Sequence, residues 1–333
     1  YEGTFRPKES GAYELLIEGD DGYRVYVNGE KVIDYWGEHA SAKREYTLKA
    51  IAGTDYKIRI EYMQAGAEAL LRFDLGVYRH ISPEMVVDRV KEADIVIFAG
   101  GISPSLEGEE MYSVNSPGFA GGDRTSIELP QVQRDILKAL KKAGKKVVFV
   151  NCSGSAVALV PEMESCDAIL QAWYPGQAGG LAVADVLFGD FNPSGKLPVT
   201  FYKNTDQLPD FEDYSMKNRT YRYMTEVPLF PFGYGLSYTT FDISKGRLNK
   251  KTISAGQDLN FKVNVKNTGK YDGAEVIQVY VRKVDDAEGP IKSLRAFRRV
   301  PLKAGETCVV SIDLLPTTFE FFGNIKSSIT QSV

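Results

Sequence analysis

Asp94-Ile95-Val96-Ile97-Phe98-Ala99-Gly100-Gly101 is an unbroken apolar run that ends in two glycines. A short run without polar alternation is typical of a strand that is buried on both faces of a parallel sheet. Open α/β sheets bind their ligands beyond the carboxyl ends of such strands. Three acids follow closely in the next loop: Glu107, Glu109 and Glu110. This stretch therefore predicts the fold class of its surroundings and the best candidate for a chemical site.

The chemical value of the three acids depends on their environment. A carboxyl group that lies beside other carboxylates in a partly desolvated loop has a raised pKa and can donate a proton near neutral pH. On residue types alone, a solvated acidic loop or a cap for the following helix is the simpler interpretation. A further observation is needed before these acids indicate catalysis.

Residues 79–205 alternate helical patterns with apolar strands. Ser82-Pro83-Glu84 predicts a helix start with Ser82 as the N-cap, and this helix is expected to end near Ala93. Two further units follow: a helix from Pro130 to Gly144 with a strand at 146–151, and a strand at 168–173 with a helix at 180–187. The alternation predicts an α/β sandwich with a mainly parallel sheet and helices on both faces.

Period-two alternation dominates both ends of the chain, so the protein is predicted to be multidomain, α/β plus all-β. Residues 1–78 form one β unit, with tight hairpins expected at Asp20-Asp21-Gly22 and Asn28-Gly29. Adjacent acids before a glycine favour a turn over a calcium site. Residues 246–333 predict a β-sandwich of immunoglobulin or fibronectin type. The intervening 206–245 is an aromatic and proline-rich linker, which typically seals one domain on another.

Composition excludes several function classes. The chain has 333 residues, 43% of them hydrophobic, which fits two or three ordinary globular domains. Its formal net charge of -4 gives no positive electrostatic field that would attract nucleic acid. No apolar stretch reaches the roughly 20 residues of a membrane span. Because the chain starts at Tyr1 without a methionine, it reads as a fragment or a processed piece.

Metal and cofactor chemistry has no support in the sequence. Cys152, Cys166 and Cys308 are widely spaced, without a CxxC pattern, and are expected to be small buried hydrophobes. His39 and His80 are isolated. We therefore expect neither a metal site nor a cofactor.

Four strings in one order make the sequence recognisable. They are Tyr174-Pro-Gly-Gln-Ala-Gly-Gly180, Leu187-Phe-Gly-Asp190, Asn192-Pro-Ser-Gly-Lys-Leu-Pro198 and Phe232-Gly-Tyr-Gly-Leu-Ser-Tyr238. With the order of the three units, they resemble the C-terminal portion of glycoside hydrolase family 3. Residues 1–78, with Asp20-Asp21-Gly22 and Val27-Asn28-Gly29, look like the latter part of a PA14 domain, which some family members carry as an insertion. The last unit resembles the fibronectin type III-like domain of the family.

The resemblance implies an exo-acting retaining β-glycosidase, a β-glucosidase or a β-xylosidase, that acts on a β-linked oligosaccharide or glycoside. Its active site lies between an N-terminal (β/α)8 barrel, which supplies the aspartate nucleophile, and the α/β sandwich, which supplies the acid/base glutamate. Nothing in this sequence matches a barrel. The resemblance therefore implies that this chain alone is inactive, and that the parent protein is periplasmic or secreted.

The acid/base loop of the family is commonly written Glu-Gly-x-Asp-Arg, with or without an insertion, and Asp123-Arg124 matches its end. The resemblance favours Glu109 as the acid/base, in the position of the second acid of a Glu-x-Glu pair. Glu107, which a glycine follows, is the rival, and Glu110 is third.

Other residues near these motifs are weaker candidates. Asp123 and Arg124 are expected to order the loop by ion pairing and hydrogen bonds rather than to contact sugar. Trp36 is a weak candidate for lining a substrate-binding pocket, and Trp173 is as consistent with a core position as with sugar stacking. The alternative function is a non-catalytic carbohydrate-binding or scaffolding protein, in which the acidic loop is inert.

Overall fold

The computed structural model describes residues 1–66, 69–77, 81–107, 116–120 and 123–320. The chain divides into two compact units, Tyr1–Ile81 and Ser82–Val333.

The first unit is a β-sandwich of two antiparallel sheets. Its strands are β1 (Glu2–Phe5), β2 (Gly11–Asp20), β3 (Tyr23–Val27), β4 (Glu30–Tyr35), β5 (Ala42–Ala50), β6 (Tyr56–Tyr62) and β7 (Leu70–Gly76). One sheet has the order β1-β6-β3-β4, and the other has the order β5-β2-β7. Alternate residues of both sheets, among them Leu15, Ile17, Tyr23 and Val25, are fully buried in one core. The period-two alternation of the sequence thus corresponds to the inward and outward faces of these strands.

The two predicted hairpins of this unit have different outcomes. Asn28 and Gly29 have φ angles of 51° and 89° and connect the paired strands β3 and β4, as expected. The hairpin at 20–22 is wrong, because β2 and β3 belong to different sheets. The Asp21 carboxylate instead accepts the main-chain N–H groups of His39 at 3.0 Å and Ala65 at 2.7 Å. A contact between distant loops, which the local sequence does not reveal, decides this connection.

The second unit begins with a three-stranded parallel sheet. Its elements are α1 (Pro83–Arg89), β8 (Ile95–Gly101), α2 (Pro104–Glu107), β9 (Phe119–Ala120), β10 (Asp123–Arg124), α3 (Gln131–Lys142), β11 (Lys146–Cys152), α4 (Val160–Ser165), β12 (Ala168–Gln171) and α5 (Gly179–Phe188). The sheet order is β12-β11-β8, and both pairings are parallel. The predicted βα units are therefore confirmed, with α4 as an additional short helix.

Helix α1 begins as the sequence predicts but ends earlier. The Ser82 side chain accepts the N–H of Met85, and Pro83 occupies the first turn. The helix ends at Arg89, not near Ala93.

The two faces of the β8 strand differ in burial. Val96 and Phe98 pack in a core with residues of α1 and α3. Ile95 and Ile97 on the opposite face are 56% and 51% exposed, so the described elements cover that face incompletely. Among the described residues, the apolar run of β8 is therefore half-buried on one face and exposed on the other, whereas the sequence predicted burial on both.

The rest of the second unit is a β-sandwich that follows a long irregular segment. Its elements are α6 (Thr220–Tyr223), β13 (Phe241–Ile243), β14 (Arg247–Leu248), β15 (Leu259–Asn267), β16 (Gly273–Val281), β17 (Ser293–Leu302) and β18 (Thr307–Leu314). Strand β15 pairs with β13, β14 and β18, and β16 pairs with β17. Alternate residues such as Val263, Val265 and Val310 fill its core.

A seam of hydrogen bonds and one ion pair joins this sandwich to the α/β segment. Lys196 Nζ lies 2.8 Å from Glu275 Oε1 and donates to the Gly235 carbonyl at 2.9 Å. The Asn192 side-chain amide donates to the Asp272 carbonyl at 2.8 Å, and its oxygen accepts the N–H of Tyr238 at 2.8 Å. The aromatic and proline-rich segment also contacts the sandwich, because the Gln278 side-chain amide donates to the Gly233 carbonyl at 3.1 Å.

Two further sequence expectations concern cysteines and membranes. The three cysteines are free thiols; Cys166 is buried, whereas Cys152 and Cys308 are half-buried, not buried as the sequence predicted. Burial raises the pKa of the Cys166 thiol to about 12. Within the described ranges, no helix has the length and apolar character needed to cross a membrane.

Candidate functional site

The candidate site lies at the carboxyl edge of the parallel sheet. Three loops meet there, because β8, β11 and β12 run in the same direction. The first contains Glu107, the second Gly154 and Ser155, and the third Trp173 and Tyr174. The contacts among these residues define what we call the Glu107 corner, together with Arg124.

Glu107 ends the short helix α2, whose first turn Ser103 caps by accepting the N–H of Leu106. The Tyr174 hydroxyl donates to Glu107 Oε2 at 3.0 Å. Ser155 Oγ lies 3.4 Å from Glu107 Oε1, which is a longer and weaker hydrogen bond. Both carboxylate oxygens of Glu107 therefore already accept a hydrogen bond from the protein.

Tyr174 follows a strained backbone position and packs against a glycine. Trp173, the residue before it, has a φ angle of 58°, which bulky residues rarely adopt. The Tyr174 ring lies against Gly154, where an added Cβ would be only 2.6 Å from a ring carbon. Burial and the Glu107 carboxylate raise the pKa of the Tyr174 hydroxyl, so it remains a proton donor at neutral pH. A glycine and a strained tryptophan thus direct this hydroxyl to the site.

Arg124 supports the corner from behind. Its Nη1 donates to Ser155 Oγ at 2.9 Å and its Nε donates to the Ser126 carbonyl at 3.2 Å. Burial lowers the pKa of the guanidinium, while the nearby carboxylates of Glu107 and Glu128 act in the opposite direction. Arg124 thus contacts the loops around Glu107, which is the arrangement expected of a residue that orders them. Asp123, its neighbour in β10, is exposed.

Glu128 fixes the segment between Arg124 and α3. It accepts the N–H and hydroxyl of Thr205 at 3.0 and 2.6 Å, and it also accepts the hydroxyl of Ser126. Burial alone raises the pKa of Glu128, but these hydrogen bonds outweigh it and lower the pKa to about 2. This carboxylate therefore remains charged and ties the site loops to residue 205.

Several predicted site residues lie outside the Glu107 corner or outside the described residues. Glu109, Glu110 and His80 belong to the second group. Trp36 is 44% exposed in the first unit, and the Arg24 guanidinium lies 4.4 Å from its ring centroid. Trp173 packs against Phe201, with 6.0 Å between ring centroids.

The sequence predicts that the chain has no metal site, and the structure can be compared with this prediction only for the described residues. His39 packs against Tyr35, with ring centroids 4.2 Å apart. Within the described ranges, no group of three or more His, Cys, Asp or Glu side chains could hold a metal ion.

Sequence reasoning missed Tyr174, Ser155 and Gly154 as parts of the site. Tyr174 opens the first of the four family-like strings, which is the one signal that pointed to it. Ser155 and Gly154 carry no motif, and their role follows only from the meeting of the three loops.

Comparison with known proteins shows the family of this chain. The profile of the Glycosyl hydrolase family 3 C-terminal domain matches residues 21–238, which is more than half of the chain. The chain belongs to glycoside hydrolase family 3. The Fibronectin type III-like domain profile matches residues 275–331 of this family member.

Among family relatives, a protein named Xylan 1,4-beta-xylosidase from Xylanibacter ruminicola is 52% identical over 325 residues, which cover 97% of this chain and 37% of that protein. A Periplasmic beta-glucosidase from Salmonella typhimurium is 40% identical over 250 residues, which cover 70% of this chain and 31% of that protein. The chain thus spans less than half the length of these relatives.

Comparison with solved structures also finds a protein that is named as a glycosidase. A beta-glucosidase from Kluyveromyces marxianus superposes with a TM-score of 0.72 and 29% sequence identity. The match covers 94% of this chain and 39% of that one.

Proposed function

We propose that this chain is the C-terminal portion of an exo-acting retaining β-glycosidase and supplies its acid/base glutamate. The observation that carries the proposal is the position of Glu107 at the carboxyl edge of the sheet, bound by Tyr174 and Ser155. That contact fixes the start of the acidic run at the edge where α/β sheets present reactive groups. Family membership supplies the reaction class.

Glu109 is the proposed acid/base, with Glu107 as its rival. Both oxygens of Glu107 accept hydrogen bonds from the protein, which favours an anchoring role for that residue. In the first step, the Glu109 carboxyl transfers its proton to the glycosidic oxygen as the bond to the anomeric carbon breaks and the nucleophile forms a glycosyl ester. In the second step, the Glu109 carboxylate removes a proton from water, which attacks the anomeric carbon and releases the nucleophile.

The second carboxylate of this mechanism is assigned to an N-terminal (β/α)8 barrel of the same parent chain. Retaining chemistry requires an aspartate nucleophile about 5 Å from the acid/base. One carboxylate cannot perform both roles, so residues 1–333 alone are proposed to be inactive. The reaction requires neither a cofactor nor a metal.

The proposed substrate is a β-linked xyloside or xylo-oligosaccharide, with a β-glucoside as the second possibility. The 52% identity to the relative named Xylan 1,4-beta-xylosidase supports xylose. The first unit is proposed to be the latter part of a PA14-like domain, with Trp36 as a weak candidate for sugar contact. The periplasmic relative supports a periplasmic or secreted location.

The test uses the full-length protein that contains this chain, with 4-nitrophenyl β-xyloside and β-glucoside as substrates. We expect hydrolysis of the xyloside, with the β-anomer of xylose as the first product by NMR. Hydrolysis of neither glycoside would overturn the proposal and favour the carbohydrate-binding or scaffolding role.

The acid/base assignment has its own test. Glu109→Gln should lower kcat on xylobiose by about 10^3-fold, because protonation of the leaving oxygen is lost. Azide should restore turnover of an activated aryl xyloside. The matched control Glu110→Gln should stay within about threefold of wild type, and normal turnover by Glu109→Gln would refute the assignment.

A further inference from the structure

The Tyr174 hydroxyl joins both ends of the segment 102–107. It lies 2.9 Å from the Ile102 carbonyl oxygen, where β8 has just ended, and 3.0 Å from Glu107 Oε2, where α2 ends. The hydroxyl has a single proton, which the Ile102 carbonyl and the Glu107 carboxylate share. A side chain from the loop after β12, the strand at the far edge of the sheet, thus contacts the loop that follows β8.

We propose that Tyr174 is a positioning residue for leaving-group protonation and acts through Glu107. By holding Glu107 in place, Tyr174 positions the first residue of the acidic run 107–110. The approach of the proton donor Glu109 to the glycosidic oxygen is therefore proposed to depend on this contact. This inference rests on the proposed glycosidase function. It assigns Tyr174 to the glycosylation step and no role to it in sugar contact.

The backbone around Tyr174 supports a specific role for this side chain. A φ of 58° at Trp173 is a left-handed backbone conformation that is strained for a bulky residue. Such strain persists where the surrounding structure requires it, and functional sites are where it concentrates. Gly154 supplies the space for the ring, since any Cβ there would lie 2.6 Å from it.

Ser155 and Arg124 support the same carboxylate from the opposite side. Arg124 Nη1 donates to Ser155 Oγ at 2.9 Å, which occupies a lone pair of that hydroxyl and leaves its proton for Glu107. The Ser155 bond to Glu107 is the longer of the two, at 3.4 Å against 3.0 Å from Tyr174. Tyr174 is therefore the principal contact, and its loss should move Glu107 more than the loss of Ser155.

The decisive variant is Tyr174→Phe in the full-length protein, because it removes the hydroxyl and keeps the ring. A poor leaving group such as that of xylobiose needs the proton, whereas 2,4-dinitrophenolate departs without one. We expect kcat/KM to fall about tenfold or more on xylobiose and less than about twofold on 2,4-dinitrophenyl β-xyloside. The same loss on both substrates would overturn the inference, since a general structural defect does not depend on the leaving group.

The matched control is Tyr238→Phe. The Tyr238 hydroxyl also donates to a main-chain carbonyl, that of Val186 at 2.7 Å, but it lies at the seam. This variant loses one hydroxyl hydrogen bond and should show the same leaving-group dependence as wild type. A leaving-group effect as large as that of Tyr174→Phe would overturn the inference.

Glu107→Gln separates anchoring from proton donation. The glutamine keeps one oxygen that can accept from Tyr174, so xylobiose turnover should stay within about tenfold of wild type and should not respond to azide. A loss as large as that of Glu109→Gln, with rescue by azide, would identify Glu107 as the acid/base and overturn its anchoring role.

Hydrogen–deuterium exchange distinguishes this inference from the function on which it rests. Amides of residues 102–107 should exchange faster in Tyr174→Phe than in wild type or Tyr238→Phe, whatever the substrate. Unchanged exchange would overturn the positioning role even in an active enzyme. Faster exchange in a protein that hydrolyses neither nitrophenyl glycoside would overturn the proposed function and leave the Tyr174 contact established.

Discussion

The Glu107 corner and the seam between the two domains of the second unit are built by different interactions. At the corner, Tyr174 and Ser155 donate to the Glu107 carboxylate, and the Arg124 guanidinium donates to Ser155. At the seam, the Lys196–Glu275 ion pair has side chains only 16% and 17% exposed, and main-chain groups complete the hydrogen bonds around it. The corner holds the Glu107 side chain through contacts from distant loops, whereas the seam holds two folded domains together.

The family-like strings divide between these two regions. The strings around Asn192 and Tyr238 meet at the seam, where they hydrogen-bond to each other. The string that begins at Tyr174 belongs to the corner. A sequence string that is typical of the family therefore lies at a domain interface as readily as at the candidate site. Only the contacts of each string show to which of these two regions it belongs.

The largest expected effect is at the seam. Lys196→Met leaves the Glu275 carboxylate partly buried without its cation and should lower the free energy of unfolding by about 3 kcal/mol. Activity per folded molecule should not change. Urea unfolding and xyloside kinetics of the full-length protein measure the two quantities.

Lys141→Met is the control for the seam. Lys141 and Asp167 are each 45% exposed and 3.3 Å apart, so this pair should contribute less than about 1 kcal/mol. An equal loss of stability in both variants would remove the distinction between a structural seam and an ordinary surface.

The second effect concerns acid and the scaffold of the corner. The pKa of Glu128 is about 2 when folded, below its ordinary 4.5, so its contribution is complete above pH 4.5 and is lost as pH falls towards 2. We expect Glu128→Gln to remove about 2 kcal/mol of stability at pH 6 and less at pH 3. Urea unfolding at both pH values measures this change.

Glu164→Gln, at an exposed helical position, provides the charge-matched control for Glu128. Its difference in unfolding free energy from wild type should be small at either pH. A constant deficit of Glu128→Gln between pH 6 and pH 3 would contradict the role of its charged form.

The smallest effect tests the corner itself. Gly154→Ala places a methyl group 2.6 Å from the Tyr174 ring and should displace its hydroxyl from Glu107. We expect kcat on xylobiose to fall about tenfold, equivalent to about 1.4 kcal/mol of activation free energy. Steady-state kinetics with xylobiose measures it.

Gly180→Ala is the steric control, because nothing lies within 4 Å of the added carbon. It should leave kcat within about twofold. If Gly154→Ala also leaves kcat on xylobiose within about twofold of wild type, the close approach of the Tyr174 ring to residue 154 has no part in the reaction.

Much of the fold was predictable because its signals are local. The β11 strand and the α3 and α5 helices lie within two residues of the predicted bounds, and Ser82 caps α1 as expected. The hairpin at 20–22 failed because Asp21 binds the main chain of His39 and Ala65, 18 and 44 residues further along the chain. No turn propensity encodes a contact at that separation.

The candidate site was predictable only in part. The acidic run was visible because its position after an apolar strand is a local pattern. Tyr174 lies 67 residues from Glu107, and Ser155 lies 48 residues from it, so neither could be paired with it from spacing. Arg124 was predicted to order the acidic loop, and its contact with Ser155, 31 residues further along the chain, was not foreseen.

The sequence by itself determined the order of the units, the parallel sheet and the place of Glu107 at its carboxyl edge. Hydrophobic periodicity and strand direction suffice for these features, because they arise from neighbouring residues. Only the tertiary structure decided which side chains surround Glu107 and which strings join the two domains. Those contacts require distant loops to meet, and they depend on a strained φ at Trp173 and an open space at Gly154 that residue types do not reveal.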